Sequence, residues 1–139
     1  MTTQIIEPYE GKKYKLDYAK GSAWVRLFKS NTTPTEHSVL GDFTTSTYPG
    51  YADQQPTWST TANDGSDNAE SHTGVVTFTC TGGGSSENAY GVLILPDNSG
   101  SPGTIVLGCY RFPTPVVMVN NGDVVSFSTI QLLQGQWPL

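Results

Sequence analysis

The sequence predicts an all-β domain, an antiparallel β-sandwich or jelly roll of about eight short strands. Three observations support this fold class. Charged residues make up only 14 % of the 139 residues, and 15 glycines and 9 prolines punctuate the chain. Several short runs alternate apolar and polar residues with the two-residue period of a strand, and turn-forming residues separate them. Such runs, almost without helical periodicity, favour two packed sheets over a closed barrel.

The length and residue pattern divide the chain into an arm, one domain and a tail. Residues 1–22 lack clear periodicity and are predicted to form an N-terminal arm or lead-in strand. Residues 23–133 form the β-sandwich domain, which is long enough to bury its own core. Residues 134–139 form a polar and proline-containing tail, in which Trp137 either contacts another subunit or packs against Trp24.

The first clear strand is "AWVRLFKS", where two kinds of side chain alternate. Trp24, Arg26 and Phe28 share one face, and Val25 and Leu27 share the other. Because Arg26 interrupts the aromatic face, Val25 and Leu27 are predicted to point inward.

An aromatic-rich stretch, "SVLGDFTTSTYPGYA", follows a polar loop. Asp42 is a plausible N-cap, so one short helix is predicted over residues 42–48, ending before the Pro-Gly pair. Phe43 would then pack over an open edge of the sheet, and Tyr48 or Tyr51 would anchor the returning chain.

The second half of the chain carries the clearest strands. "QPTWST" predicts a short strand, and the polar "TANDGSDNAESH" predicts a solvent-exposed connection. "GVVTFTCTG" indicates a half-buried strand with a threonine-lined outer face, whereas "NAYGVLILP" is apolar enough for a central strand covered on both sides.

The C-terminal strands are separated by two turn signals. Pro113 and Pro115 mark a corner within a strand-forming run. "NNGD", residues 120–123, predicts a hairpin turn whose left-handed positions suit Asn121 and Gly122.

No catalytic, cofactor-binding or metal-binding residues are predicted. The chain has no nucleophile elbow, no His-Glu-x-x-His and no ordered calcium loop. His37 and His72 lie in polar segments without ligand spacing, and Asp97 and Asp123 sit beside turn residues, where Asp bonds backbone amides. The "CTGGGSSEN" stretch predicts a hairpin loop between strands, since a phosphate loop would lead into a helix.

Cys80 and Cys109 lie in apolar, strand-like runs. Two buried free thiols are the favoured interpretation, and a bridge between neighbouring strands is the alternative. Trp58, Tyr90 and Tyr110 are candidate sugar-stacking aromatics, although alternation places one aromatic of each strand inside.

The charge pattern limits the partners. A formal net charge of −5 argues against nucleic acid or an anionic membrane surface, which demand clustered Lys or Arg. No run approaches the roughly 20 apolar residues of a membrane span. The start of the chain also lacks the pattern of a secretory signal, so synthesis in a cytoplasm is expected.

The order of segments resembles a known group of proteins. "WVRLFKSNTTPTEHSVLGDFTTSTYPGYA", followed by "YGVLIL" and "RFPTPVVMVNNGDVVSFS", resembles small β-rich structural proteins encoded among the virion genes of tailed bacteriophages. The resemblance covers about residues 24–130. It rests on a strand ending in a Leu-Phe pair, a Thr-Pro loop, an Asp-Phe-Thr turn, a Gly-Tyr-Ala step and a Gly-Asp turn.

The resemblance implies a non-enzymatic virion protein made in the host bacterial cytoplasm. Its expected role is capsid cement or decoration: it would bind the major capsid protein or another virion protein, self-associate as a dimer or trimer, and stabilise the shell. The alternative from a different class is a receptor- or glycan-binding module of a tail or head fibre. An enzyme acting on cell-wall sugar is disfavoured, since it would need two facing carboxylates.

Overall fold

The computed structural model describes residues 2–3, 23–62, 69–98 and 104–134. Within these ranges the regular secondary structure is β, as the sequence predicts, apart from one 3₁₀ turn at Leu40–Asp42. The strands are β1 (Thr2–Thr3), β2 (Trp24–Phe28), β3 (Trp58–Ala62), β4 (Ala69–Thr73), β5 (Val76–Thr79), β6 (Glu87–Leu95), β7 (Gly108–Met118), β8 (Val124–Phe127) and β9 (Thr129–Gln134).

The central sheet has the antiparallel order β2-β6-β7. Its middle strand, β6, is completely buried from Val92 to Leu95. A run of aliphatic residues without alternation is what a strand covered on both faces requires, and the prediction for "NAYGVLILP" is confirmed.

A second layer is built from one long, bent ribbon. β4 pairs with β9, and β5 pairs with β8. The two ladders share one register, from Ala69↔Gln134 to Thr79↔Val124, so neither side of the ribbon has an inserted residue between them. At the bend, two threonine side chains make hydrogen bonds in place of backbone pairing. The Thr73 hydroxyl accepts from the Ile130 amide at 3.0 Å, and Thr129 Oγ1 donates to the Thr73 carbonyl at 2.7 Å. β3 extends this layer beside β4, and β1 pairs in parallel with β9.

The two faces of the central sheet carry separate apolar clusters. The inter-sheet core lies between the central sheet and the ribbon, and the outer core lies under residues 40–43 and Val106. Val25 and Leu27 join the inter-sheet core, as predicted, yet Phe28 on the opposite face of β2 is equally buried, in the outer core. The inter-sheet core contains Ala23, Val25, Leu27, Tyr48, Trp58, Val76, Phe78, Cys80, Ala89, Val92, Ile94, Leu107, Phe112, Met118, Val125, Phe127 and Ile130.

A register shift bends the β6–β7 pair where the sequence predicts a proline-marked corner. The pairing jumps between Ala89 and Gly91, and the extra residues on β7 include Pro113 and Pro115. A Cβ on Gly91 would collide with the Tyr110 carbonyl and with the Phe28 ring, so only glycine fits this position.

The predicted helix over residues 42–48 is wrong. The 3₁₀ turn ends at Asp42, whose carboxylate accepts from the Val39 amide at 2.9 Å, so Asp42 closes the turn and does not start a helix. Residues 44–46 instead run along the free edge of β2, where the Lys29 amide donates to the Thr44 carbonyl and the Ser46 amide to the Leu27 carbonyl. Pairing with that edge satisfies backbone groups that a short isolated helix would leave to water. The predicted packing of Phe43 is confirmed, with its ring centroid 4.9 Å from that of Phe28.

The hairpin predicted at residues 120–123 is also wrong, although the turn is present. β7 pairs with β6 and β8 pairs with β5, so this turn passes from one layer to the other. Gly122 has a φ of +97°, but Asn121 does not adopt a positive φ. The loop at residues 80–86 likewise joins β5 and β6 of different sheets, so it is not a hairpin loop either.

The segment predicted as an exposed connection forms a hairpin of its own. β3 and β4 pair antiparallel from Trp58↔Thr73 to Ala62↔Ala69, and residues 63–68 lie outside the described residues. The arm beyond Thr2–Thr3 and the tail after Gln134, including Trp137, also lie outside them, and the division at residues 22 and 133 stays a prediction.

Candidate functional site

The irregular segment 44–54 runs beside β2 and brings polar side chains together at two places. At the first, Arg26 is 5 % exposed and holds Asp53 with two nitrogens, at 3.0 Å from Nε and 2.6 Å from Nη2 to Oδ2. Tyr51 completes the group: its hydroxyl donates to Asp53 Oδ1 at 2.6 Å and accepts from the Leu27 amide at 3.0 Å. Burial and the bond to Asp53 raise the pKa of Tyr51. We call these three side chains the closed network, because the protein itself supplies their partners.

The second place is an open cleft beside Lys29. The Lys29 ammonium donates to Thr47 Oγ1 at 2.6 Å and lies 3.6 Å from Glu87 Oε1. Thr47 in turn holds Glu87, donating its amide to both carboxylate oxygens at 3.1 Å and its hydroxyl to Oε1 at 2.9 Å. The carboxylate is thereby fixed in orientation at the end of β6, and its charge is matched by one cation.

The cleft has a volume of about 580 Å³ and walls from three parts of the chain. Pro49 forms one wall together with the loop at residues 84–86, and a Cβ on Gly84 would lie 2.7 Å from Pro49 Cγ, so the two segments touch. Tyr90 forms another wall, and the Arg111 guanidinium carbon lies 5.3 Å from its ring centroid. Arg111 is itself held by the Thr32 carbonyl and by Asn31, so the cation next to the ring is fixed in place.

Tyr48 lines the same cleft and carries an unusual hydroxyl. The side chain is 3 % exposed, and the hydroxyl has no hydrogen-bond partner among the described residues. Burial, followed by the nearby Cys80 and Glu87, raises the pKa of Tyr48, so the phenol stays protonated. An unpaired buried hydroxyl costs about 1–3 kcal/mol.

A different kind of surface covers the outside of the β5–β8 pair. Its side chains are exposed and uncharged, and the Thr77 and Ser126 hydroxyls are 3.0 Å apart. Val75 and Val124 are 72 % and 48 % exposed. We call this surface the uncharged face: Val75, Thr77, Thr79, Thr81, Val124, Ser126 and Ser128. The threonine-lined outer face predicted for β5 is confirmed as its centre.

Of the three aromatics considered for sugar stacking, the structure brings one to the cleft. Trp58 is 7 % exposed and donates its indole N–H to the Ala23 carbonyl at 3.0 Å, so it is a core residue. Tyr110 is half-buried against Phe112, at 5.9 Å between ring centroids. Tyr90 lines the cleft. Sequence reasoning missed the Lys29, Thr47 and Glu87 constellation, because these residues lie far apart in the chain and match no motif.

The two cysteines are free and buried, in agreement with the favoured interpretation. Cys80 lies in the inter-sheet core and Cys109 in the outer core, on opposite faces of the central sheet. Burial raises the pKa of the Cys109 thiol to about 12. At neutral pH this thiol is therefore protonated and behaves as a small apolar side chain.

His37 and Asp123 belong to neither the closed network nor the cleft. His37 is exposed in a loop, and Asp123 closes the turn at residues 120–123 by accepting from the Val119 and Asn120 amides at 2.9 Å and 2.7 Å. Among the residues that the structure describes, no three His, Cys, Asp or Glu side chains gather as a metal site would require. Within the same ranges, no helical segment has the length and hydrophobicity needed to span a lipid bilayer.

Comparison with known proteins found no match: no family model, no curated protein and no solved structure aligns with this chain.

Proposed function

We propose that this protein is a non-enzymatic structural component of a bacteriophage particle, a capsid cement or decoration protein. The observation that carries the proposal is the uncharged face. It presents seven exposed positions without a single charge, in a chain of net charge −5. Depletion of charge is characteristic of the central part of protein–protein interfaces, whereas a charged surface elsewhere keeps a protein soluble.

The construction of the uncharged face suits a lasting contact. Its backbone belongs to an antiparallel ladder whose inward side chains, Val76, Phe78, Val125 and Phe127, are at most 3 % exposed. A surface backed by a packed core changes shape little on binding, which lowers the ordering cost of association. The hydroxyls and methyl groups of threonine offer both hydrogen bonds and apolar contact.

The partner we propose is the major capsid protein, in line with the sequence resemblance. A shell presents many identical sites, so a modest contact repeated over the particle gives strong retention through avidity when copies also associate with one another. The protein then acts by bridging neighbouring shell subunits, and its location is the virion.

The test is the copy number and position of the protein in purified particles, imaged with and without it. Density at hundreds of sites on the icosahedral shell supports the proposal. Density at the tail or at a single vertex, or particles without the protein, would contradict it.

A matched pair of variants connects the result to the uncharged face. Val124→Lys places a charge in this face, whereas Val117→Lys places one at an equally exposed valine of β7, 51 % exposed against 48 %. Both should fold, and we expect Val124→Lys alone to lose incorporation into particles. Equal incorporation of the two variants would rule out the uncharged face as the contact.

A further inference from the structure

We infer that the cleft between Lys29 and Tyr90 is a binding site for a neutral saccharide. This inference does not depend on the proposed structural role, because the cleft shares no lining residue with the uncharged face. The two surfaces are neighbours, and the Thr81 amide donates to the Pro49 carbonyl at 2.9 Å. Its volume of about 580 Å³ falls within the range of roughly 300–1,000 Å³ that small-molecule sites occupy.

The polar groups of the cleft match a ligand that both donates and accepts hydrogen bonds. Glu87 accepts three hydrogen bonds from Thr47, which leaves about one acceptor position, since a carboxylate offers about four. Lys29 has three ammonium hydrogens, of which Thr47 takes one, and its side chain is 32 % exposed. Asn88 adds an exposed amide with both functions. Sugar hydroxyls supply complementary donors and acceptors.

The charge of the cleft favours a neutral ligand over an anion or a cation. Lys29 and Glu87 lie 3.6 Å apart and offset each other, so neither sign dominates. The formal net charge of −5 further opposes an anionic ligand such as a sugar phosphate.

The walls add the apolar component that a sugar ring needs. Tyr90 and Pro49 present C–H and ring surface beside the polar groups. Tyr90 is held by Arg111, and Pro49 is held by the loop at Gly84, so both walls are in place before a ligand arrives. A preformed site loses little conformational entropy on binding.

The experiment is an NMR titration of the ¹⁵N-labelled protein with maltose, lactose and cellobiose at millimolar concentrations, and with glucose 6-phosphate for comparison. We expect at least one neutral disaccharide to shift the amides of Thr47, Tyr48, Gly50 and residues 84–90 in a saturable manner. No saturable shift with any of the three, shifts confined to another surface, or tighter binding of glucose 6-phosphate would each overturn the inference.

Variants connect binding to the polar groups. Glu87→Gln should weaken binding about tenfold, because hydrogen bonds to a charged acceptor are among the stronger ones. Glu36→Gln removes the same charge from an exposed loop position and should leave affinity unchanged. If Glu87→Gln fails to fold by circular dichroism, Asn88→Ala, at an exposed side chain, should still weaken binding about fivefold. Unchanged affinity in the folded variants would overturn the inference.

Discussion

The closed network and the cleft use the same three kinds of side chain, yet they differ in access to water. Each combines a cation in or directly after β2 with a carboxylate and a tyrosine. These are Arg26, Asp53 and Tyr51 in the closed network, and Lys29, Glu87 and Tyr48 in the cleft. In the closed network the protein supplies partners for the charges and for the tyrosine hydroxyl. In the cleft the ammonium is partly exposed and the tyrosine hydroxyl has no partner among the described residues.

The difference teaches how one β-edge can serve two purposes. Segment 44–54 replaces a regular strand beside β2, so side chains take over hydrogen bonds that a ladder would otherwise make. In the closed network, where every polar group has a partner within the protein, these bonds stabilise the fold. In the cleft, some hydrogen-bonding capacity is unused and remains available to a ligand.

The largest expected effect is the loss of the buried cation. Arg26→Ala leaves Asp53 without its charged partner at a site where the two side chains are 7 % and 13 % exposed, so we expect a loss of about 3–5 kcal/mol in the free energy of unfolding. Lys29→Ala should cost less than about 1 kcal/mol, because the Lys29 side chain is 32 % exposed and Glu87 keeps its hydrogen bonds from Thr47. Denaturant unfolding of the two variants measures the difference in free energy of unfolding. Equal losses would contradict the expectation that the buried Arg26 contributes more to stability than Lys29.

The next effect separates the two tyrosines. Tyr51→Phe removes a hydroxyl that bonds both the Leu27 amide and Asp53. The Leu27 amide then loses its partner while Asp53 keeps only Arg26, and the change should cost about 1–3 kcal/mol. The same unfolding measurement applies, with a crystal structure of the variant to exclude repacking. A variant as stable as the wild type would mean that water replaces the hydroxyl.

Tyr48→Phe is the matched substitution in the cleft and should have the opposite sign. It removes a buried hydroxyl that has no partner among the described residues while keeping the ring, so stability should rise by up to about 1 kcal/mol or stay unchanged. A clear loss of stability would reveal a partner for this hydroxyl, such as a bound water.

The smallest effect concerns Asp123, a carboxylate near the surface that accepts hydrogen bonds from backbone amides at the turn of residues 120–123. The Val119 and Asn120 amides donate to Asp123 and lower its pKa below the ordinary value of 3.8. Because the pKa of Asp123 is lower in the folded than in the unfolded state, its carboxylate stabilises the fold at a pH above the unfolded-state pKa. This contribution is lost as the pH falls through the folded-state pKa. We therefore expect the stability difference between wild type and Asp123→Asn to shrink between about pH 5 and pH 2. Thermal unfolding across this range measures it, and a constant difference would contradict the expectation.

The sequence predicted those parts of the fold that depend on local pattern. The alternation in "GVVTFTCTG" and the unbroken apolar run in "NAYGVLILP" correctly indicated a half-buried and a fully buried strand. The candidate site was less predictable. Tyr90 was named among the aromatics, but the pairing of Lys29 with Glu87 depends on the path of segment 44–54, which no local pattern reveals.

The failures have a common physical reason. The sequence predicts a helix start at Asp42 because capping propensity is local. The edge of β2 offers the following residues more hydrogen bonds than a short helix could. "NNGD" has the residues of a hairpin turn, but strand pairing is chosen by burial of the flanking side chains, and β7 and β8 bury theirs in different sheets.

The sequence by itself determined the all-β class and the positions of most strands, because two-residue periodicity and turn chemistry act between neighbours in the chain. It favoured two free thiols but left a bridge open, and the tertiary structure places Cys80 and Cys109 on opposite faces of the central sheet. The tertiary structure alone decided which strands pair, that Trp58 is core, and that Lys29, Thr47 and Glu87 converge. These are contacts between distant residues, and they form only when burial of the whole apolar set selects one arrangement of the sheets.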